Sequence, residues 1–335
     1  MAELPVPAGW FAVAFSDEVR PGDVVTRTLG GCELVIWRGR DGVASATDPT
    51  CPHLGGHLGS GRVDGATLRC AFHGLAFAHD GTCTAAGGCN APPSELRVPV
   101  RQVHEREGAV LVWHHPRGEP PTFAVPDAEL GPMTSMATAR FELAGHPVAT
   151  SENSVDLAHL AGVHGYAGAR MIEPFRADGA VARASYEMQR PLGLPGSDAI
   201  PGLRRVTMLV RFDVTLYGLG VSIVEATIPA IGARTRQVVL STPTEPGRIE
   251  LRLGMRVEHR SGGSAAVRAI ERVGARVAML GFAHDVRQDV PIWARQRYVA
   301  RPGLTHGDGP IVPYRRWARQ FLIDRADVPE NSSAS

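Results

Sequence analysis

Between residues 51 and 73 the chain reads CPHLGGHLGSGRVDGATLRCAFH, and no other stretch constrains its fold so strongly. Cys51 and His53 stand on one side of a sixteen-residue gap, Cys70 and His73 on the other, in a chain with only five cysteines. Thiolate and imidazole are the side chains best suited to zinc and iron–sulfur centres, so two such pairs call for two loops held side by side around metal. Two cysteines and two histidines satisfy a tetrahedral structural zinc ion. Zinc sites, however, usually group the cysteines and then the histidines, whereas here each loop supplies one of each. That division suits a two-iron cluster in which one iron takes both thiolates and the other both imidazoles. Gly55, Gly56, Gly59 and Gly61 in the first loop and Gly74 after the second permit tight turns that could aim N–H groups at cluster sulfurs.

The rest of the composition is that of an ordinary soluble globular protein. The 335 residues suffice for a large core and for two domains. Hydrophobic residues make up 44%, charged residues 21%, and the formal net charge is +1, so neither nucleic acid nor a polyanionic surface is an expected partner. The opening MAELPVPAGWFAVAFSDEVRPGD lacks the basic start and sustained apolar core of a signal peptide. No run approaches the ~18 to 20 apolar residues that span a bilayer, so no membrane span is expected and the location read from the sequence is cytoplasmic. Disulfides are not expected in that reducing compartment; Cys32 reads as a buried small hydrophobe, Cys83 and Cys89 as loop residues.

From Trp10 to about Pro116, short β-type runs such as ELVIW and AVLVWHH alternate with Gly, Pro and Asp turns, which predicts a small all-β domain over residues 1–116. The proline-rich PRGEPPTFAVP that follows places a linker at 117–126. Residues 204–257 carry runs rich in Val, Ile, Leu and Thr with turns between them, which predicts an antiparallel sheet. Residues 151–161 and about 263–297 have helix-compatible composition. The expected class is therefore α+β: an all-β domain, then a helix-flanked antiparallel-sheet domain over 127–324, with a disordered tail at 325–335.

A cluster of this kind passes one electron at a time, and the second domain offers somewhere for that electron to go. Residues 151–165 read SENSVDLAHLAGVHG, in which Asn153, Asp156 and His159 fall three apart and would share one helix face. Asp156, one turn before His159, would be placed to accept a hydrogen bond from that ring. His164 lies roughly 140° further round an ideal helix. A helix ending near Gly162 would free it to swing back from the following loop and give two imidazoles for one metal. A carboxylate as third ligand makes an iron site with open positions. The stretch AHDVRQDVPIWARQRY supplies Asp285 and Asp289, which could instead pair with Arg287 or Arg295.

The Cys51-x-His53 and Cys70-x-x-His73 boxes resemble the [2Fe-2S] domain of Rieske proteins. With the N-x-x-D-x-x-H-x-x-x-x-H segment and the QDVPIW setting of Asp289, in that order, nearly the whole chain resembles a Rieske non-haem iron oxygenase of the monooxygenase branch. The resemblance implies a Rieske [2Fe-2S] cluster on Cys51, His53, Cys70 and His73, and mononuclear Fe(II) on His159, His164 and Asp289. It also implies a homotrimer in which the cluster of one subunit lies close to the iron of the next. Asp156 would there join His73 of the partner subunit to His159, and Asn153 would support the iron. No dinucleotide fingerprint and no plant-type ferredoxin cysteine set is present, so a separate ferredoxin, a ferredoxin reductase or both would supply the electrons.

STPTEP, CPHLGGHLG and DGPIVPYRRWARQFL resemble the subgroup containing steroid 9α-hydroxylase oxygenases and cholesterol 7-desaturase. This implies hydroxylation or desaturation, with O2, of a bulky apolar molecule of steroid-like or polycyclic kind. The lysine usual after the IW pair is absent, with Gln296 or Arg297 nearby. Oxidative tailoring or cyclisation of a natural product on the same iron is the alternative, and a non-catalytic Rieske electron carrier a third reading. The RRW triplet reads as a structural anchor that packs its tryptophan and pairs its arginines. His57 reads as a surface residue of the first loop.

Overall fold

In a computed structural model of the chain, residues 4–86, 95–127, 131–192, 206–259 and 263–323 are described. Two compact units divide it: Trp10–Asp127, and Met1–Gly9 together with Ala128–Ser335.

The first unit is all β. Its strands are β1 (Gly9–Phe15), β2 (Val24–Leu29), β3 (Cys32–Arg38), β4 (Ala44–Thr47), β5 (Arg62–Asp64), β6 (Thr67–Arg69), β7 (Ala76–Phe77), β8 (Cys83–Ala85), β9 (Val100–Arg101), β10 (Val103–Arg106) and β11 (Ala109–His114). They form three small sheets in the orders β1-β11-β10, β2-β3-β4-β9 and β5-β6-β7-β8. All of β1, GWFAVAF, is buried, as its unbroken apolar run requires. Trp37, Leu58, Leu68 and Phe77 pack with Cys51 and Cys70 in one core, and Phe11, Ile36, Val110 and Val112 lie in another.

The segment 117–126, expected as a linker, packs on this unit. The buried indoles of Trp10 and Trp113 need hydrogen-bond acceptors, and the segment supplies them: Trp10 Nε1 donates to the Phe123 carbonyl and Trp113 Nε1 to that of Glu119, both at 2.8 Å. Two cysteines differ from expectation. Cys32 is exposed, because Gly30 and Gly31, with φ of 62° and 81°, form the tight β2–β3 hairpin turn and leave it at the strand end. Cys83 lies buried in β8 rather than in a loop. Cys89 and the tail from residue 324 fall outside the described residues.

The second unit is built on a seven-stranded antiparallel sheet in the order β12-β18-β17-β16-β15-β14-β13. Its members are β12 (Ala137–Ala144), β13 (Ala167–Asp178), β14 (Val181–Leu192), β15 (Val206–Tyr217), β16 (Val221–Ile228), β17 (Ala233–Glu245) and β18 (Arg248–Val257). The expected sheet over 204–257 is present, and β12, β13 and β14 extend it. Strands β13 and β14 escape a sequence reading because charged residues and prolines interrupt them, as in EPFRAD and QRPL. Cross-strand partners share a face: Tyr186 opposes Phe212, and Val224 opposes Gln237, which opposes Met255. The long helix α3 (Ala265–Trp293) lies against one end of the sheet. Its Met279, Val286 and Trp293, seven residues apart, pack with Ile249, Leu251, Leu253 and Met255 of β18.

The helix expected over 151–161 is two short ones, α1 (Pro147–Glu152) and α2 (Ala158–Gly162). The interruption has a tertiary cause. The Leu157 N–H donates 3.2 Å to the carbonyl of Asp308, in the loop before α4 (Ile311–Ala318). Gly309, at φ +84°, brings that loop so close that a Cβ there would lie 2.4 Å from the Val155 carbonyl oxygen. Asn153, Asp156 and His159 thus span a turn instead of sharing one helix face. Helix α2 does end at Gly162, as the position of His164 requires.

Candidate metal centres

The two cysteine–histidine loops are near copies of each other. In each, the cysteine N–H donates to the carbonyl five residues on, Cys51 to Gly56 and Cys70 to Leu75, both at 2.8 Å. In each, the glycine four residues on returns its N–H to the cysteine carbonyl, Gly55 to Cys51 and Gly74 to Cys70, both at 3.0 Å. Those glycines have φ of 74° and 72°, a backbone region that strains residues with a Cβ. Both cysteines are 2% exposed, while His53 faces solvent and is 4.7 Å from the half-buried His73, ring to ring, at 79°. Burial pushes the Cys51 thiol up, with Cys70 adding to the rise; a bound metal cation opposes both effects by drawing off the proton. Gly56 sits so tightly that an added Cβ would meet Cys70 Sγ at 3.1 Å. His57 stays on the surface and meets Glu33 Oε1 at 2.5 Å.

In the second unit His159, His164 and Asp289 converge. One ligand atom from each lies within 4.8 Å of the others, and they are the group of this kind found among the described residues. The imidazoles stand at 79° with centroids 5.2 Å apart, and His164 Nε2 is 3.5 Å from Asp289 Oδ1. Asp289 comes from α3 (Ala265–Trp293), His159 from α2, and His164 from the loop beyond Gly162. That loop is closed by the Gly165 N–H to Ala161 carbonyl bond (3.2 Å) and the Tyr166 N–H to Leu160 carbonyl bond (2.9 Å). Two imidazoles and a carboxylate are the donor set of non-haem Fe(II) sites that keep coordination positions open. Burial pushes the Asp289 carboxyl up to about 6 against the pull of His164 and His159, a cost that a cation between the three groups removes.

Each histidine is oriented through Nδ1. His159 Nδ1 lies 2.6 Å from the Asp156 main-chain carbonyl, which is outside any helix because the chain breaks between α1 and α2. The Asp156 carboxylate is 3.9 Å from that ring nitrogen and accepts the His159 main-chain N–H at 3.2 Å instead. The expected bond from ring to carboxylate is thus replaced by one to the carbonyl of the same residue. Burial raises the Asp156 carboxyl, but His159 and neighbouring main-chain N–H groups outweigh it and hold the group below its ordinary value. His164 Nδ1 lies 2.9 Å from Gln288 Oε1, a partner that sequence reading did not single out although it directly precedes Asp289. Asn153 borders the same pocket, where its amide draws the Asp289 carboxyl down against the effect of burial. Asp285 is otherwise engaged: it accepts the Tyr166 hydroxyl at 2.8 Å and pairs with Arg190 of β14, not with Arg287 or Arg295.

The three groups open into a pocket whose walls are mainly apolar. The sheet supplies Tyr186, Met188, Phe212, Val224 and Val239, and α3 supplies Phe282, Val286 and Trp293. Gln237 and the Arg190–Asp285 pair are the polar exceptions on these walls. The RRW triplet behaves as an anchor: Trp317 is buried and donates to the Gly179 carbonyl at 2.9 Å, Arg315 forks onto Glu152, and Arg316 is exposed.

The model of the Rieske [2Fe-2S] domain matches residues 9–102, and that of the 3-ketosteroid 9alpha-hydroxylase C-terminal domain matches residues 112–322. The chain belongs to the Rieske oxygenases. This oxygenase is 30% identical to "Cholesterol 7-desaturase nvd" of Bombyx mori over 96% of its own length and 71% of that protein's. It is 29% identical to "Probable 3-ketosteroid-9-alpha-monooxygenase, oxygenase component" of Rhodococcus rhodochrous, over 96% and 81%. Among solved structures, dicamba monooxygenase with non-heme iron and dicamba shares its fold at a TM-score of 0.64 and 20% identity, covering 93% and 96% of the two chains. NdmA of Pseudomonas putida CBB5 with caffeine does so at 0.66 and 20%, covering 97% of each. No helix among the described residues is long and apolar enough to cross a membrane.

Proposed function

We propose that this Rieske oxygenase is a terminal oxygenase component that uses O2 and two externally supplied electrons to hydroxylate or desaturate a bulky apolar molecule, steroid-like or polycyclic. The observation that carries the reading is the convergence of His159, His164 and Asp289 at an apolar pocket in a chain that also carries a Rieske domain. An electron carrier has no use for such a pocket. The relatives named for 3-ketosteroid 9-alpha-monooxygenase and cholesterol 7-desaturase support the substrate class.

In this reading Cys51, His53, Cys70 and His73 hold the [2Fe-2S] cluster, and His159, His164 and Asp289 hold Fe(II). The iron supplies the oxygen chemistry, and the protein supplies placement. The apolar walls take up the substrate body and exclude water, so that binding buries apolar surface. Asn153 steadies the Asp289 carboxylate from the side. The Asp156 carboxylate, about a third exposed, keeps an oxygen for a second partner, which in a homotrimer would be His73 of the partner subunit. A ferredoxin or its reductase serves as donor, and the cytoplasm is the compartment in which these components would meet.

Metal analysis tests the assignment. The purified protein should hold three irons and two acid-labile sulfides per chain, since the cluster and the mononuclear site share no ligand. Zinc without labile sulfide would refute it. A 3-ketosteroid should then perturb the mononuclear site, and steroids that neither bind nor turn over would shift the substrate class to another polycyclic scaffold.

A further inference from the structure

The His164 ring spans two consecutive residues of α3. Its Nδ1 is 2.9 Å from Gln288 Oε1 and its Nε2 is 3.5 Å from Asp289 Oδ1. Neutral imidazole carries one proton, and the acceptor that takes it decides which nitrogen keeps a lone pair. We propose that Gln288 is a positioning residue: its Oε1 accepts the Nδ1–H of His164, holds the ring in the tautomer whose Nε2 lone pair is free, and turns that nitrogen toward Asp289. The inference rests on the metal site proposed above and adds a residue to it.

The two histidines are held by different means, and this makes Gln288 the informative one. His159 leans on a main-chain carbonyl, which no substitution at Asp156 removes. His164 sits in the loop after a five-residue helix, and its Nδ1 partner is a side chain. With its side chain only 4% exposed, His164 has little access to water as a substitute acceptor. Removing the Gln288 oxygen leaves a buried N–H unpaired or lets the proton move to Nε2, where it would face Asp289 and block a cation. Because Gln288 and Asp289 are adjacent on α3, one helix sets both the carboxylate ligand and the orientation of the imidazole opposite it.

The test uses the whole protein with its cluster intact and its mononuclear site stripped by a mild chelator, then equilibrated by dialysis against Co(II). The parent should bind one Co(II) per chain, and His164→Ala should not. Gln288→Leu, similar in size but without an acceptor, should weaken Co(II) binding by about 10- to 100-fold, the usual effect of losing an outer-shell partner. Gln288→Glu keeps an acceptor in place and should bind within a few-fold of the parent. All variants should show the parental cluster absorption. Parental affinity in Gln288→Leu, with His164→Ala inactive in binding, would overturn the inference and leave the metal site standing. So would a loss in Gln288→Glu equal to that in Gln288→Leu, because a retained acceptor would then have rescued nothing. No Co(II) bound by the parent, or undiminished binding by His164→Ala, would instead refute the metal site and this inference with it.

Discussion

Arg315 ties the C-terminal helix to the segment that carries the proposed iron site, and its removal should be costly. Its Nε and Nη2 meet the two oxygens of Glu152 at 2.5 and 2.7 Å, and Nη1 donates to the Val299 carbonyl at 2.7 Å. The side chains of the pair are only 12% and 9% exposed. Glu152 is the last residue of α1 and directly precedes Asn153. Arg315→Leu would leave the carboxylate buried without its cation, which costs about 3–5 kcal/mol when such a pair is broken. The lower end, about 3 kcal/mol, is the appropriate figure because both groups lie at the edge of solvent. For a unit of this size each kcal/mol moves the melting point by about 2–4 °C, so the transition should fall by about 6–12 °C. Differential scanning calorimetry reads this, with cluster absorbance followed in parallel to separate the first unit. Arg315→Lys keeps the charge but loses the fork and should fall between. Glu152→Leu with Arg315→Leu removes both charges and should recover most of the loss. A shift below about 2 °C in Arg315→Leu, or a double variant no better than the single, would refute the reasoning.

Asp289→Ala should empty the mononuclear site yet leave the cluster spectrum intact, whereas Asp285→Ala should keep iron but strand Arg190 in the pocket wall and weaken substrate binding by about tenfold; iron analysis and ligand titration separate the two. Asp156→Asn should stay folded with both metals bound and a reducible cluster while product formation falls steeply. A pre-reduced cluster that reoxidises at the parental rate with substrate and O2 would rule out an electron path through this residue. His146 is held by burial at about 4, from an ordinary 6.5, as a neutral ring that donates Nε2–H to the Pro5 carbonyl and accepts the Val148 N–H at Nδ1. The unfolded chain therefore binds more protons between those values, and stability is lost as pH falls through that window, by about 2 kcal/mol at pH 5. His146→Asn keeps an N-cap acceptor and should flatten that part of the pH dependence of melting.

The cluster loops were legible in the sequence because their geometry is local. A cysteine, a ligand within three residues and a glycine four residues on complete each turn by bonds inside the same loop. The antiparallel sheet over 204–257, the long helix that bears Asp289, and the end of α2 at Gly162 could also be read, since periodicity and glycine act over a few residues. What could not be read depends on distant backbone. Nothing between residues 151 and 161 announces that the helix breaks; the Asp308 carbonyl and the close approach of Gly309 do this from 150 residues away. That break frees the Asp156 carbonyl to orient His159, so the sequence pointed to the right residue but to its carboxylate. Gln288 was passed over because an amide next to a ligand has no signature until a histidine 124 residues earlier in the chain is folded against it. The partners of Asp285, and the packing of the proline-rich segment under Trp10 and Trp113, were decided in the same way: buried donors take acceptors that only tertiary structure brings within reach.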